Sequence, residues 1–219
     1  NNASLVIAGG FDPDEAMRLV TKLFGPIPKG ELPPRKPVPA SPPRAKQVRH
    51  EFASKFDVPR MMAGFNTCVL GDPDDYVLDV IQSVLAGGKT GRLYRKLVEG
   101  DQLANDVTAM NQCGRYPGWF SVDLEMLQGK DRAKAEAAAF AELDRLATEP
   151  VTDAELRRAK RSAVAAYVFG KESVHNLADA VARGAAQGDA DYVRTYLAKL
   201  TAVTAADVQR VAAKYFGKD

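Results

Sequence analysis

The sequence predicts an α+β fold, a mainly antiparallel sheet with helices packed on one face. Phe120, Val122, Leu124 and Met126 alternate with Ser121, Asp123 and Glu125. That period of two marks an antiparallel strand with one covered and one wetter face. Val77, Val80, Ile81, Val84 and Leu85 recur at helical spacing, a stripe that needs an apolar partner. Strand-type segments gather in the middle of the chain, whereas almost everything beyond Lys130 is helical. Such uneven mixing favours α+β over a regularly alternating parallel sheet.

Taken in order, Ser4 to Ala8 (SLVIA) is a short strand-type run stopped by Gly9-Gly10. Asp12 then offers a helix cap, Pro13 suits the first helical position and Glu15 can close a capping box. Ala16, Leu19, Val20, Leu23 and Phe24 line one face of that helix, which Gly25-Pro26 ends. Residues 26–46 hold most of the prolines and much local positive charge, a connector that spans a distance stiffly. Val48, His50 and Phe52 alternate as a strand, and a second strand is expected from about Pro59 to Cys68. Asp72-Pro73 repeats the cap-plus-proline start. The stretch GGKTGRLYRKLVEGDQLANDV, from Gly87 to Val107, is a glycine-rich turn opening a short basic helix, with a strand after it to about Asn111. Thr152-Asp153-Ala154-Glu155 and Thr204-Ala205-Ala206-Asp207 are capping-type starts of later helices. All 219 residues are expected to form one domain, and the opening Asn1-Asn2-Ala3 without an initiator Met reads as part of a longer polypeptide.

Composition narrows the function. A formal net charge of +2 gives no field suited to nucleic acid, and no apolar run is long enough to span a bilayer. Cys68 and Cys113 lack the paired short spacings of a structural zinc site and read as two buried thiols, with one disulfide as the alternative. The two histidines, His50 and His175, have no second histidine at helical spacing, and neither HxxEH nor HExxH occurs. No GxSxG elbow is present. Gly88-Lys89-Thr90 ends like a phosphate loop, but Ser83 occupies the position of the required glycine and a helix, not a strand, precedes it. Nucleotide binding is thus a minor alternative.

Several segments together resemble the second domain of the pitrilysin/insulinase family of zinc peptidases. They are Asn1 to Gly9, Phe11-Asp12-Pro13, Phe24 to Pro28, Gly71-Asp72-Pro73-Asp74, Leu85 to Gly88 with Arg92-Leu93-Tyr94, and Val203 to Val208. The resemblance covers essentially the whole chain. It implies a six-stranded-type sheet of the LuxS/mitochondrial-processing-peptidase-like metallohydrolase fold. Members are built from pairs of homologous domains whose halves close around peptides, and one half carries zinc through HxxEH in its first domain. The other half often supplies an arginine and a tyrosine that face the scissile carbonyl. Aligned from Arg92-Leu93-Tyr94, those positions fall on Val98 and Asn105, so both groups are missing. Valine donates nothing to an oxyanion and asparagine only a neutral amide.

The resemblance therefore implies a non-catalytic domain without its own cofactor. Zinc is expected in a preceding first domain, and a second homologous half and a peptide substrate are the expected partners. An inactive scaffold subunit is the rival. Gly87, Gly88, Lys89, Gly91 and Arg92 are candidates to face the substrate chamber, as is Asn105. The plainer role of the five turn residues is to make a tight turn at a helix start. The family setting points to a bacterial periplasm or envelope, although these residues carry no address.

Overall fold

A computed structural model describes residues 3–31, 34, 46–53, 55 and 57–217. Its sheet has three strands, β1 (Arg60–Asn66), β2 (Ala104–Gln112) and β3 (Trp119–Met126), in the order β1-β3-β2. Both pairings are antiparallel: Ala63 faces Val122 across one, and Ala109 faces Val122 across the other. The alternation read in β3 matches its burial, with Phe120, Val122, Leu124 and Met126 all buried.

The expectation of six strands is corrected to three among the described residues. Residues 3–8 and 47–53 run without helix or strand and pair with no ladder. Their apolar side chains Leu5, Ile7, Val48 and Phe52 are exposed, so alternation is present but no sheet of this chain takes it up. The greater part of the proline-rich connector lies outside the described residues, and the described residues 28–31 are neither helix nor strand.

Helix α1 (Pro13–Phe24) forms where its capping residues place it. Asp12 Oδ1 accepts from the backbone N–H of Asp14 and Glu15 at 2.8 and 3.3 Å, yet no residue of the helix is buried. The remaining helices are α2 (Pro73–Ala86), α3 (Arg132–Thr148), α4 (Asp153–Phe169), α5 (Val174–Gln187), α6 (Tyr192–Ala202) and α7 (Ala205–Phe216). None is long and apolar enough to cross a membrane. Both threonine starts are capping boxes: Thr152 exchanges hydrogen bonds with Glu155, and Thr204 with Asp207.

Helix α2 is the axle of the core. It packs against β2, α4, α6 and α7, with Leu78, Val80, Ile81 and Leu85 fully enclosed. Helix α7 covers the β1 side of the sheet, where the Phe216 ring meets Phe65 edge-on at 4.9 Å and Phe120 at 5.1 Å. The helices thus lie on one face. On the other face Met62, Met110 and Trp119 stay exposed.

One buried charge ties the ends of this layer together. Asp74, in the first turn of α2, accepts from Arg210 at 2.8 Å, Lys214 at 2.7 Å and the Tyr215 hydroxyl at 3.1 Å. Burial alone would raise its carboxyl, but the hydrogen bonds from Lys214, Arg210 and Tyr215 outweigh that and hold it below the usual range.

Candidate functional site

Glycine is a steric necessity at one point of the turn after α2. A Cβ on Gly91 would sit 2.6 Å from the Leu85 carbonyl oxygen and 2.9 Å from Ala86 Cα, both backbone atoms that cannot swing away. Gly88 faces open space but adopts φ +62°, a left-handed conformation. Gly87 closes α2, its N–H donating to the Ser83 carbonyl at 3.0 Å. Gly91→Ala should cost about 1–3 kcal/mol by overpacking, and Gly88→Ala about 1 kcal/mol through φ alone. Urea midpoints of the two variants check that order.

Gly88–Thr90 forms a single 3₁₀ turn with Lys89 exposed. Because this turn follows a helix end, it lacks the strand-to-helix geometry that cradles phosphate. After Gly91 a helical segment begins and continues as a π-helix, Tyr94–Gly100, whose wider turns include a bond from the Asp101 N–H to the Lys96 carbonyl. Leu93 and Leu97 plug it into the core.

Arg92 points inward. Its Nε and Nη2 donate to Glu155 Oε1 and Oε2 at 2.8 and 3.0 Å, and its side chain is only 10% exposed. Glu155 is also the capping-box acid of α4, so this pair links the turn to that helix start. The guanidinium of Arg92, with Thr152, holds the Glu155 carboxyl down at about 2. Arg92 Nη1 is buried without a hydrogen-bond partner.

Gly87, Gly88, Lys89, Gly91 and Arg92 are therefore contiguous in space as in sequence. Asn105 stands apart from them, in the register shift between Ala104 and Asp106, exposed, with Nδ2 3.4 Å from Glu125 Oε1. Val98 is half-buried against the core.

Sequence reasoning missed a second cluster. A cavity of about 300 Å³ lies between α2, β2 and α6. Asp75 and Asp79 line it, one helical turn apart on α2, and Tyr192 and Tyr196 answer with the same spacing on α6. Tyr192 Oη donates to Asp75 Oδ2 at 3.2 Å, and Tyr196 Oη to Asp79 Oδ2 at 2.6 Å. Asn111 Nδ2 reaches both carboxylates at 2.9 Å. Burial pushes the Asp79 carboxyl up to about 6 against the pull of Tyr196 and Asn111. Burial likewise raises both tyrosine hydroxyls, which remain donors. Lys171 Nζ sits 3.0 Å from the centre of the Tyr167 ring at the same cavity. The two i,i+4 pairs were visible in the sequence. Their facing one another was not.

Elsewhere, His50 and His175 are both exposed, and His50 stacks on Phe52. Cys68 and Cys113 are free, buried thiols with sulfurs 3.6 Å apart. Among the described residues no three His, Cys, Asp or Glu side chains converge as a metal site requires, so the donor set of this chain does not fit zinc.

The family model described as peptidase M16 inactive domain matches residues 1–163. A zinc protease of Helicobacter pylori, PqqE, is 28% identical over 156 residues, which is 70% of this chain and 34% of that protein. The crystal structure of a protease from Helicobacter pylori superposes with a TM-score of 0.83 at 21% identity, over 96% of this chain and 51% of that one. A peptidase M16 inactive domain from Pseudomonas fluorescens superposes with a TM-score of 0.78 at 19% identity, over 96% of this chain and 50% of that one. At such identity the two structures speak for the fold. The chain spans about a third of the length of PqqE and about half of each solved chain.

Proposed function

The chain belongs to the peptidase M16 inactive-domain family, and from that membership we propose that it is the non-catalytic domain of a zinc metallopeptidase, lining part of the peptide chamber and meeting a homologous half. The uncovered face of the sheet carries this reading. Met62 on β1, Trp119 on β3 and Met110 on β2 are 73%, 41% and 49% exposed, spread over all three strands. Asp123, opposite Met62 and Thr108, and the bulged Asn105 add polar groups beside them. An apolar strip with polar neighbours on an open sheet suits an extended peptide of mixed side chains.

This domain would supply surface only. Zinc held by a companion domain would activate water and polarise the peptide carbonyl. Val98 and Asn105 fill the two positions where an arginine and a tyrosine would assist, and neither stabilises a developing oxyanion as those do.

The chain alone, with or without added zinc, should leave a fluorogenic peptide intact. Paired with a zinc-binding domain of the family it should support hydrolysis, and Met62→Asp should then raise KM about tenfold with kcat and zinc content nearly unchanged. Emission from Trp119, the single tryptophan, should shift when peptide binds. Hydrolysis by the unpaired chain, or a KM indifferent to Met62→Asp, would sink the proposal.

A further inference from the structure

The most anomalous part of the molecule is its beginning. Eight large apolar side chains between Leu5 and Ile27 are exposed: Leu5, Ile7, Phe11, Met17, Leu19, Leu23, Phe24 and Ile27. The helix among them has a proper cap, a proline at its first turn and a marked apolar stripe, yet it buries nothing. Among the described residues, the core and the hydrophobics packed on it run from Met61 to Phe216, so residues 3–31 contribute to neither. A helix of 12 residues is marginal without a surface for its stripe. The strand-type run before it, extended through residues 3–8, has no ladder partner.

Strand-type run, glycine turn and amphipathic helix make one two-element unit, designed by its pattern to add an edge to a sheet and cover its face. The sheet β1-β3-β2 does not receive it. A second copy of the chain offers the same unclaimed unit and no receiving sheet that the first copy lacks. Similar structures include this region, because they superpose over 96% of the chain, and they are about twice as long, so each holds another body of equal size.

We infer that residues 4–27 complete the sheet layer of a neighbouring zinc-binding domain, Ser4–Ala8 joining a sheet edge and the Leu19/Leu23/Phe24 stripe of α1 covering the sheet beside it. The inference rests on the pairing proposed above and adds where the two domains clasp. The extended residues 28–31 leave the unit held to the core by a strap instead of by packing.

The full chain should be produced with a zinc-binding domain of the same family encoded beside it, and complex formation followed by light scattering and hydrogen exchange. A one-to-one complex is expected, with amide exchange at residues 4–8 and 16–24 slowed at least about 100-fold on pairing. Leu19→Asp with Leu23→Asp should weaken the complex about 100-fold and leave the melting temperature of the free chain within about 2 °C. A complex that forms but ignores both substitutions would leave the pairing intact and overturn this inference alone. A free chain that melts much lower when substituted would also overturn it, because α1 would then pack on its own core. So would a homodimer abolished by the substitutions. If the unaltered chain forms no complex, the pairing itself fails and the inference falls with it.

Discussion

Replacing Arg92 by Met is expected to cost about 3 kcal/mol, the lower end of the range for breaking a buried pair from one side. The loss should appear as a lower urea midpoint and faster hydrogen exchange across residues 87–91. The reason is the carboxylate left behind. Glu155 is 20% exposed and keeps its bonds from the Thr152 N–H and hydroxyl at 3.0 Å, which spares the variant the full penalty. Arg92→Met combined with Glu155→Gln should recover much of the loss, since no unpaired charge remains. A pH readout separates the ion pair from simple packing. Glu155 is held at about 2 in the folded chain, below its ordinary value near 4.5. Its contribution is therefore complete above the ordinary value and lost as pH falls towards 2. Arg92→Met should flatten that acid limb. A variant as stable as the parent, with an unchanged acid limb, would refute the buried-pair account.

The second large effect has the opposite pH sign. Asp79 is raised to about 6 in the folded chain from 3.8. A group shifted this way stabilises the fold when protonated, an effect complete below about 4 and lost as pH rises through 6. The shift is worth up to about 3 kcal/mol between those limits. Taking this group by itself, the chain should be more stable at pH 5 than at pH 7.5. Asp79→Asn should remove most of that slope while still accepting a hydrogen bond from Tyr196. Thermal melts of both proteins between pH 5 and 8 decide it, and parallel curves would count against the assignment. Asp74, Asp207 and Glu155 are shifted downward and act at lower pH, so the two regimes are separable.

Much of the local structure was legible because its causes lie within a few residues. Thr152 with Glu155 and Thr204 with Asp207 state their helix starts in four letters each, and the structure contains both boxes. Trp119–Met126 announces a strand by alternation, and α2 announces a helix by its stripe. The strand expectations for residues 4–8 and 48–52 went unmet for a definite reason. Alternation says what a segment would bury, and the sheet that would bury it must come from elsewhere. The glycine-rich turn was recognisable, but the partner of Arg92 lies 63 residues away, which local pattern does not specify. The same holds for Asp75 and Asp79, whose tyrosines lie 117 residues downstream.

The contacts of Asp74 and Phe216 set the order in which this molecule can be assembled. A nascent chain that has emerged from the ribosome as far as α6 already holds every strand of the sheet and the central helix. It has no lid for Phe65 and Phe120 and no counter-charge for Asp74, whose partners lie 136 to 141 residues further on. Closure of the core waits for the last dozen residues of the described chain, which makes folding a late, non-local event. Until then the unfinished layer is a natural client for chaperones that hold apolar surface, and a ribosome stalled before α7 would release a polypeptide unable to close.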